Sequence, residues 1–284
     1  MRNRTTITVP LYVALGFVAI LFVLPLVWMV ATSIKPEAQA ASGEFALLPS
    51  PITSAPGQAA ENYVAVWTDD TVEFPLYFRN TLIVAILSVI GMTLSSAMVA
   101  YSLARIPWKG RGVVFVLTLA TMMVPFPVLM TPLYIIFREF GWIGTLKPLW
   151  VPAWFGGAFN IFLLRQFYMG IPKDLDEAAR IDGMGHWAIF WRIILPLSKP
   201  ALAVVALFHF IYVWNDFLAP LIFLNNRENF TLALGLQMYQ SKAGLTPWNL
   251  LMAASTMVVA PVLVLFALTQ QTMIKGIAAE GLKG

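Results

Sequence analysis

Long apolar stretches separated by short polar segments dominate the pattern of the chain. A bilayer core about 30 Å thick needs roughly 20 apolar residues to be crossed by a helix, and six windows meet that requirement. Proline and glycine within such windows are compatible with membrane helices, because neighbouring helices satisfy the backbone groups that they free. The pattern predicts an all-α polytopic membrane protein that forms a single transmembrane domain. The six predicted spans are residues 9–32, 81–103, 113–137, 149–167, 201–224 and 250–268.

Composition narrows the class of protein. Of the 284 residues, 59% are hydrophobic and 11% are charged, whereas soluble proteins average about 25% charged residues. This difference excludes a soluble domain, a disordered chain and a nucleic-acid-binding protein. The chain has no cysteine and two histidines, His186 and His209, which excludes a zinc site built from several histidines or thiolates. We therefore predict no catalytic residues, no metal ligands and no cofactor in this chain, and expect it not to be an enzyme.

The first window has an alternative interpretation as a secretory signal peptide. Arg2 and Arg4 precede its apolar run, and Ala38-Gln39-Ala40 resembles a cleavage site. The apolar region of a signal peptide is only about 7–15 residues long. The run here is longer, and the Ala-Gln-Ala sequence lies too far from its end. The window is therefore predicted to be an uncleaved membrane helix.

The distribution of positive residues predicts which side of the membrane each segment faces. Six spans put both termini on one side, and cytoplasmic segments carry an excess of lysine and arginine. Of the 18 Lys and Arg residues, twelve lie in the two termini, in residues 105–111 and in residues 165–199. Both termini and the loop 168–200 are thus predicted to be cytoplasmic, and the loop 33–78 to lie outside the cell membrane. Within that outer loop, residues 36–62 look like an insertion without a recognisable pattern.

The predicted cytoplasmic loop contains the signals of a short helix. Asp174, with Glu177 three residues later, forms an acidic version of a capping box. Gly183 suits the left-handed position that follows a helix C-terminus, so we predict a short helix between these signals. Asp176 or Glu177 can pair with Arg180 at helical spacing. From the residues alone, this helix is either a solvated connector or a contact with another subunit.

A second short helix is predicted from the aromatic pattern that follows. Trp187, Phe190, Trp191 and Ile194 recur at helical spacing and fall on one face. An apolar face rich in tryptophan suits the membrane interface, and we expect this helix to lie there.

The same loop carries the most specific motif of the chain. The pattern Glu-Ala-Ala, three residues, Gly, nine residues, Ile, one residue, Leu-Pro runs from Glu177 to Pro196. It matches every fixed position in the E-A-A loop of bacterial binding-protein-dependent ABC importer permeases, which this chain resembles. Shorter stretches resemble the carbohydrate-uptake subclass, which contains the maltose and glycerol-3-phosphate permeases, so that the resemblance covers about residues 75–284. These stretches are residues 78–82, 162–167, 214–221 and 275–284.

The resemblance implies a fold, partners and residue roles. The fold is the type I ABC importer permease fold, with a cytoplasmic coupling helix between spans 4 and 5. The partners are a second homologous permease in a heterodimer, two cytoplasmic ATPase subunits that bind ATP and Mg, an extracytoplasmic solute-binding protein and membrane lipid. The chain would form half of the translocation path for a sugar or sugar derivative. The residues expected to couple to the ATPase are Glu177, Ala178, Ala179, Arg180, Asp182, Gly183, Ile193, Leu195 and Pro196.

Asp216 is the one acidic residue within a predicted span, where a charge at the bilayer centre costs at least about 2.5–3.5 kcal/mol. It is interpreted either as a residue of the translocation path, together with Tyr212, Trp214 and Asn215, or as a polar brace between helices, which is preferred. His209 is expected to be a core residue.

Two alternative functions are considered. One is an ABC importer permease for a different solute class. The other is a self-contained secondary transporter that uses Asp216 as a proton or cation site. Secondary transporters often show internal repeats and charged residues in several spans, so a single buried acid without a visible repeat favours the importer.

Overall fold

The computed structural model describes residues 4–43, 46–240 and 246–281, and these residues form helices and turns with no strand among them. Residues 1–3 and 282–284, which carry part of the predicted cytoplasmic charge, lie outside the described ranges. Short 3-10 segments occur at Ile52–Ser54, Thr121–Met123, Val151–Phe155 and Arg227–Asn229. The α-helices follow in chain order: α1 (Arg4–Ser33), α2 (Glu37–Ala41), α3 (Ala55–Thr68), α4 (Phe74–Arg105), α5 (Arg111–Ala120), α6 (Phe126–Glu139), α7 (Lys147–Trp150), α8 (Ala158–Gly170), α9 (Asp174–Ile181), α10 (His186–Ile189), α11 (Leu195–Leu197), α12 (Lys199–Trp214), α13 (Leu218–Phe223), α14 (Leu232–Gln240) and α15 (Trp248–Gly281).

Three helical segments among the described residues are long and apolar enough to cross a membrane, namely Pro10–Ser33, Phe74–Arg105 and Trp248–Gln270. Two further pairs of helical segments meet the same criterion only when each pair is taken together. Length and composition therefore give three spans, or five if each bent pair is one span. The count of six spans remains a prediction.

The first bent pair corresponds to the predicted span 113–137. The segments Arg111–Met123 and Phe126–Glu139 meet at 99°. Val124 between them has an extended backbone, with φ −84° and ψ 112°. The residue before a proline is disfavoured in the α conformation, so Pro125 explains why the helix cannot continue through this point.

The predicted span 149–167 is broken rather than continuous. It begins within α7, passes through the 3-10 segment Val151–Phe155 and stops at Gly156 before α8. Gly156 has a φ of +84°, a conformation that favours glycine because it lacks a Cβ atom. The 13 residues of α8 extend about 20 Å at 1.5 Å per residue, which is shorter than the bilayer core of about 30 Å.

The predicted span 201–224 also differs from one straight helix. Its helix α12 begins earlier, at Lys199, ends at Trp214, and is separated from α13 by three residues. At the start of α12, the chain turns by 78° relative to the preceding segment His186–Leu197. Ser198 at this turn is fully buried, and its hydroxyl donates a hydrogen bond to the Ile194 carbonyl.

The chain divides into two compact units, of which the first comprises Met1–Pro75 and Gly235–Pro261. Part of its interior is a hydrogen-bond network around the buried Asn62 of α3. The Asn62 amide donates to the carbonyl oxygens of Ser33 at 2.8 Å and Lys35 at 2.9 Å, and its oxygen accepts from Asn249 at 3.0 Å. The segment 36–62, which showed no pattern in the sequence, thus contains α2 and part of α3, and hydrogen bonds join it to the end of α1.

The second unit comprises Leu76–Leu234 and Val262–Gly284. Its core joins α4, α8, α9 and α12 to the π-helical turn Phe190–Ile194. Small side chains contribute at several contact points, among them Ala97, Ala100, Ala179 and Ala201. Such residues let helix backbones approach closely, so the E-A-A loop is packed into this core rather than extended away from it.

Candidate functional site

Helix α9 carries the E-A-A motif and ends as its sequence predicts. Gly183 has a φ of +80°. Its N–H donates to the Arg180 carbonyl at 3.0 Å, and the Met184 N–H donates to the Ala179 carbonyl at 2.9 Å. This pair of bonds is a Schellman motif, which satisfies carbonyl groups left free at a helix C-terminus. The predicted end of the helix at Gly183 is confirmed.

The predicted cap at the other end of α9 is wrong. The helix begins at Asp174, and its N-cap residue Lys173 has helical φ and ψ with no side-chain cap hydrogen bond. The acidic side chains of Asp174, Asp176 and Glu177 all lie in the first turn. Negative charge there favours the helix through its macrodipole, which replaces the expected capping box.

The structure pairs Asp176 with Arg105, at the last position of α4, and not with Arg180. Arg105 Nε lies 2.9 Å from Asp176 Oδ2, and both residues are buried. A buried ion pair is costly unless hydrogen bonds satisfy its remaining groups. The guanidinium meets this condition by donating to the carbonyl oxygens of Tyr168, Ile171 and Pro172, at 3.2, 2.6 and 2.9 Å, whereas Asp176 Oδ1 is buried without a hydrogen-bond partner. One side chain therefore joins the end of α4, the end of α8 and the start of α9.

Sequence reasoning missed Arg105, because its partner lies 71 positions further along the chain. A basic residue at the end of a span ordinarily indicates only that this end of the span faces the cytoplasm. The one sequence signal for this ion pair was Asp176, the acidic residue immediately before Glu177. Its spacing from other charged residues does not identify Arg105 as its partner.

Helix α9 has one buried face and one exposed face. Asp176 and Ala179 are buried, whereas Glu177, Ala178, Arg180, Asp182 and Gly183 are exposed. The apolar side chain of Ile181 is 87% exposed. The two alanines of the motif therefore have different environments: Ala179 packs against the core, and Ala178 lies on the surface.

The later part of the motif returns the chain to the core. Ile193 and Leu195 are half-buried, and Pro196 is exposed. The prediction that Trp187, Phe190, Trp191 and Ile194 share an interfacial face is wrong for two of the four, since Phe190 and Ile194 are fully buried and only the tryptophans are exposed. The two exposed and the two buried side chains are each four residues apart, so they occupy two different faces of this segment, which contains the π-helical turn Phe190–Ile194.

A second candidate site is a cavity of 290 Å³ within the second unit. It is lined by residues of α4, α6, α7, α12 and α13 and of the segments between helices, including Ser88, His209, Tyr212, Asp216 and Thr231. Asp216 is half-buried, and its Oδ1 accepts a hydrogen bond from the Ala219 N–H at 3.2 Å. Asp216 therefore both caps the start of α13 and faces the cavity. His209 is buried, in agreement with its expected core position.

The other residues suggested for the translocation path are arranged differently. Trp214 is buried, packs edge-on against Phe78 at 5.9 Å and stacks on Phe210 at 5.1 Å between ring centroids. Asn215 is exposed and donates to the Ile211 carbonyl at 2.8 Å. Neither residue lines the cavity, so of this group the structure brings together Tyr212 and Asp216.

Apolar membrane-length helices and a packed E-A-A loop define a membrane-embedded transport component, and comparison with known proteins gives its family. A family model described as the binding-protein-dependent transport system inner membrane component matches residues 96–277. The chain belongs to this family and is a permease subunit of an ABC importer. The resemblance inferred from the motif is confirmed.

Relatives match the chain along its length. The arabinooligosaccharides transport system permease protein AraQ of Halalkalibacterium halodurans and the trehalose/maltose transport system permease protein MalG of Thermococcus litoralis are each 32% identical over 286 residues, covering 100% of both chains. The diacetylchitobiose uptake system permease protein NgcG of Streptomyces coelicolor is 32% identical over 93% of this chain and 84% of its own. A chain of a bacterial ABC transporter involved in the import of the acidic polysaccharide alginate has a TM-score of 0.81 at 25% identity, covering 95% of this chain and 98% of that chain.

We predict that Arg105→Met frees α9 from the end of α4. The variant leaves the buried Asp176 carboxylate unpaired, and removing one partner of a buried ion pair costs about 3–5 kcal/mol. Hydrogen–deuterium exchange of residues 172–182 in the purified permease should therefore be much faster than in the wild type.

Arg111→Met is the matched control for this prediction. Arg111 is an exposed arginine near Arg105 that donates a 3.3 Å hydrogen bond to the Ile106 carbonyl. Unchanged exchange in Arg105→Met, or an equal acceleration in Arg111→Met, would contradict the anchoring role of Arg105.

Proposed function

We propose that this subunit imports a carbohydrate and that α9 couples its membrane helices to a cytoplasmic ATPase. The relatives at 32% identity are named as permeases for arabinooligosaccharides, trehalose/maltose and diacetylchitobiose. These solutes share the chemistry of neutral sugars with many hydroxyl groups. Similarity along the whole chain to three such permeases supports a sugar as the solute.

The two-sided arrangement of α9 is the observation that carries the coupling role. Asp176 and Ala179 hold one face against the core, while Glu177 and the 87% exposed Ile181 lie on the other. An exposed isoleucine beside charged residues suits the centre of a contact with a partner protein. In this proposal the partner is the ATPase subunit, and Glu177 to Pro196 form the coupling element.

The proposed assembly contains four kinds of subunit. This chain pairs with a second homologous permease, and two cytoplasmic ATPase subunits bind ATP and Mg. An extracytoplasmic solute-binding protein delivers the sugar, as the family description implies. This permease carries no cofactor of its own and performs no covalent chemistry.

The proposed topology is a multi-pass protein of the cell membrane with six spans and both termini in the cytoplasm. Three long apolar helices and two bent pairs support five of these spans, and residues 147–170 would supply the remaining one as a broken span. The charge distribution assigns α9 to the cytoplasmic side.

The proposed mechanism is alternating access. ATP-driven closure of the ATPase subunits displaces α9, and α9 biases the packing equilibrium of the membrane helices between outward-open and inward-open arrangements. The Arg105 anchor supports this mechanism, because a displacement of α9 acts directly on α4 and α8.

We predict that Gly183→Asp gives normal amounts of membrane-inserted permease, little bound ATPase and no solute uptake. A Cβ at Gly183 meets nothing within 4 Å, so the core is untouched. The positive φ adds strain of about 1–2 kcal/mol, and the carboxylate alters the docking surface. Glu177→Ala should act in the same direction more mildly. Co-purification of the ATPase with solubilised permease measures the effect.

Gly57→Asp is the control for an added carboxylate, because a Cβ at Gly57 also meets nothing within 4 Å and residue 57 lies in the proposed outer segment. It should retain ATPase binding and uptake. Full ATPase binding and normal uptake in Gly183→Asp would contradict the coupling role and show that the E-A-A loop only connects two helices.

We predict that single cysteines introduced at Ala41 and Gly185 report opposite sides of the membrane. The native chain has no cysteine, and both positions are exposed. A membrane-impermeant maleimide applied to intact cells should label position 41 and leave position 185 unlabelled until the cells are permeabilised. Labelling of position 185 alone in intact cells would overturn the proposed topology.

We predict that uptake depends on ATP and not on a proton gradient, because the driving force enters through α9. Vesicles that contain the assembled complex and internal ATP should continue to take up solute in the presence of an uncoupler. If uptake instead follows the proton gradient and is lost in Asp216→Asn, the protein works as a secondary transporter.

A further inference from the structure

A small polar pocket lies between the end of α4, the start of α5 and helix α9, within the second unit. Its volume is 210 Å³. The charged residues that line it are the basic Arg105, Arg111, Lys173 and Arg180 and the acidic Asp176 and Glu177. Positive charges therefore outnumber negative charges in the lining, and we asked which ligand would balance them.

The excess positive charge is not neutralised within the described part of the chain. Arg105 is the exception, because it pairs with Asp176 and both are buried. Arg111, Lys173 and Arg180 are exposed, and none of the three forms an ion pair with another described residue. Like charges gathered around one pocket repel one another. An anion bound between them would offset this repulsion.

The three exposed cations also retain hydrogen-bond donors. Arg111 donates a 3.3 Å bond to the Ile106 carbonyl, whereas a guanidinium group has five N–H donors and an ammonium group has three. Arginine binds phosphate oxygens through two parallel hydrogen bonds, and lysine binds them as a point charge. The lining is therefore suited to a phosphate group.

The ends of two apolar segments place this pocket at the edge of the bilayer core. Arg105 is the last residue of the span-length helix Phe74–Arg105, and Arg111 is the first residue of the following bent pair. Trp108 lies between them, is 37% exposed and donates its indole N–H to the Ser102 carbonyl at 3.2 Å. Tryptophan is enriched at the level of lipid head groups. The phosphate groups of membrane lipids therefore lie at the same depth as the pocket.

The size and charge of the pocket favour an anionic head group. The volume of 210 Å³ corresponds to about seven water molecules, which is room for a phosphate group and a small alcohol but not for acyl chains. Basic pockets between membrane helices on the cytoplasmic side bind the head groups of anionic lipids. The exposed Glu177 carboxylate can accept a hydrogen bond from a head-group hydroxyl.

We propose that this pocket binds the phosphate group of an anionic membrane lipid. Arg111 and Arg180 donate to the phosphate oxygens, Lys173 adds positive charge, and Glu177 accepts from a hydroxyl group of the lipid. The bound head group joins the start of α5 to α9, a connection that the hydrogen bonds of Arg105 do not make. This inference goes beyond the proposed function, because it depends neither on the solute nor on coupling to an ATPase.

The test variant is Arg111→Gln with Lys173→Gln in the full importer complex. The double change removes two positive charges from the pocket and leaves polar side chains, and neither residue belongs to the proposed coupling element Glu177 to Pro196. Lys109→Gln with Arg192→Gln is the matched control. It removes the same charge from two exposed residues that do not line the pocket.

Binding of tritiated dioleoyl phosphatidylglycerol to the immobilised, delipidated complex is measured by scintillation proximity at constant detergent. The competitors are unlabelled phosphatidylglycerol, phosphatidylcholine with the same acyl chains, and inorganic phosphate. We expect the tightest binding to weaken about ten- to thirtyfold in the double variant, from the effect of two cations near a lipid surface. The control should bind as the wild type does, and only phosphatidylglycerol should compete efficiently.

Three results would overturn the proposal: wild-type binding in the double variant, equal weakening in the control, or equal competition by phosphatidylcholine. Displacement of the lipid by inorganic phosphate as efficiently as by phosphatidylglycerol would assign the pocket to a free anion instead. Subunit composition of the same samples tests a different occupant, an acidic side chain of the ATPase. If the wild-type complex binds no phosphatidylglycerol and the double variant alone loses its ATPase subunits, the pocket is a protein contact and not a lipid site.

Discussion

The contact between Arg105 and Asp176 determines the position of the E-A-A helix in this structure. With eight residues, α9 is too short to be stable alone, since isolated helices below about 12–15 residues are marginal in water. Its orientation must therefore come from tertiary contacts. The Arg105 guanidinium supplies four hydrogen bonds, one to Asp176 and three to backbone carbonyl groups. Because guanidinium groups have a fixed planar geometry, these bonds fix both the position and the direction of α9.

The small residues of the core allow this contact to form. Ala100 of α4, Ala179 of α9 and Ala201 of α12 are all buried in the same cluster as Tyr168. A larger side chain at any of these alanines would separate backbones that are close-packed here. The second alanine of the motif thus has a packing role inside the subunit. The first alanine, the glutamate and Ile181 remain on the exposed face, where only a partner can give them a role.

The sequence predicted the end of α9 at Gly183, which follows from the conformational preference of a single residue. The breaks before Pro125 and at Gly156 also have local causes, but they were not predicted, because proline and glycine are compatible with continuous membrane spans. Features that depend on distant partners were missed. Nothing near Asp176 identifies Arg105, and nothing near Asn62 identifies Ser33 or Asn249. The π-helical turn was missed because a single π turn leaves no mark on a pattern of period 3.6.

The second unit contains parts that we expect to be rigid and parts that are suited to move. Around Arg105, side-chain hydrogen bonds and a close-packed core join three helix ends, so we expect them to move together. At Val124, Gly156, Ser198 and Asn215 the regular helix is interrupted, and a change of backbone angle there breaks few hydrogen bonds. Hinges in proteins are a few residues at the ends of elements. A displacement of α9 would therefore move the rigid cluster around Arg105 as a unit and be absorbed at these breaks. Two of them, at Gly156 and beside Asp216, adjoin the cavity, so a displacement of α9 that is absorbed at these breaks would change the shape of the cavity.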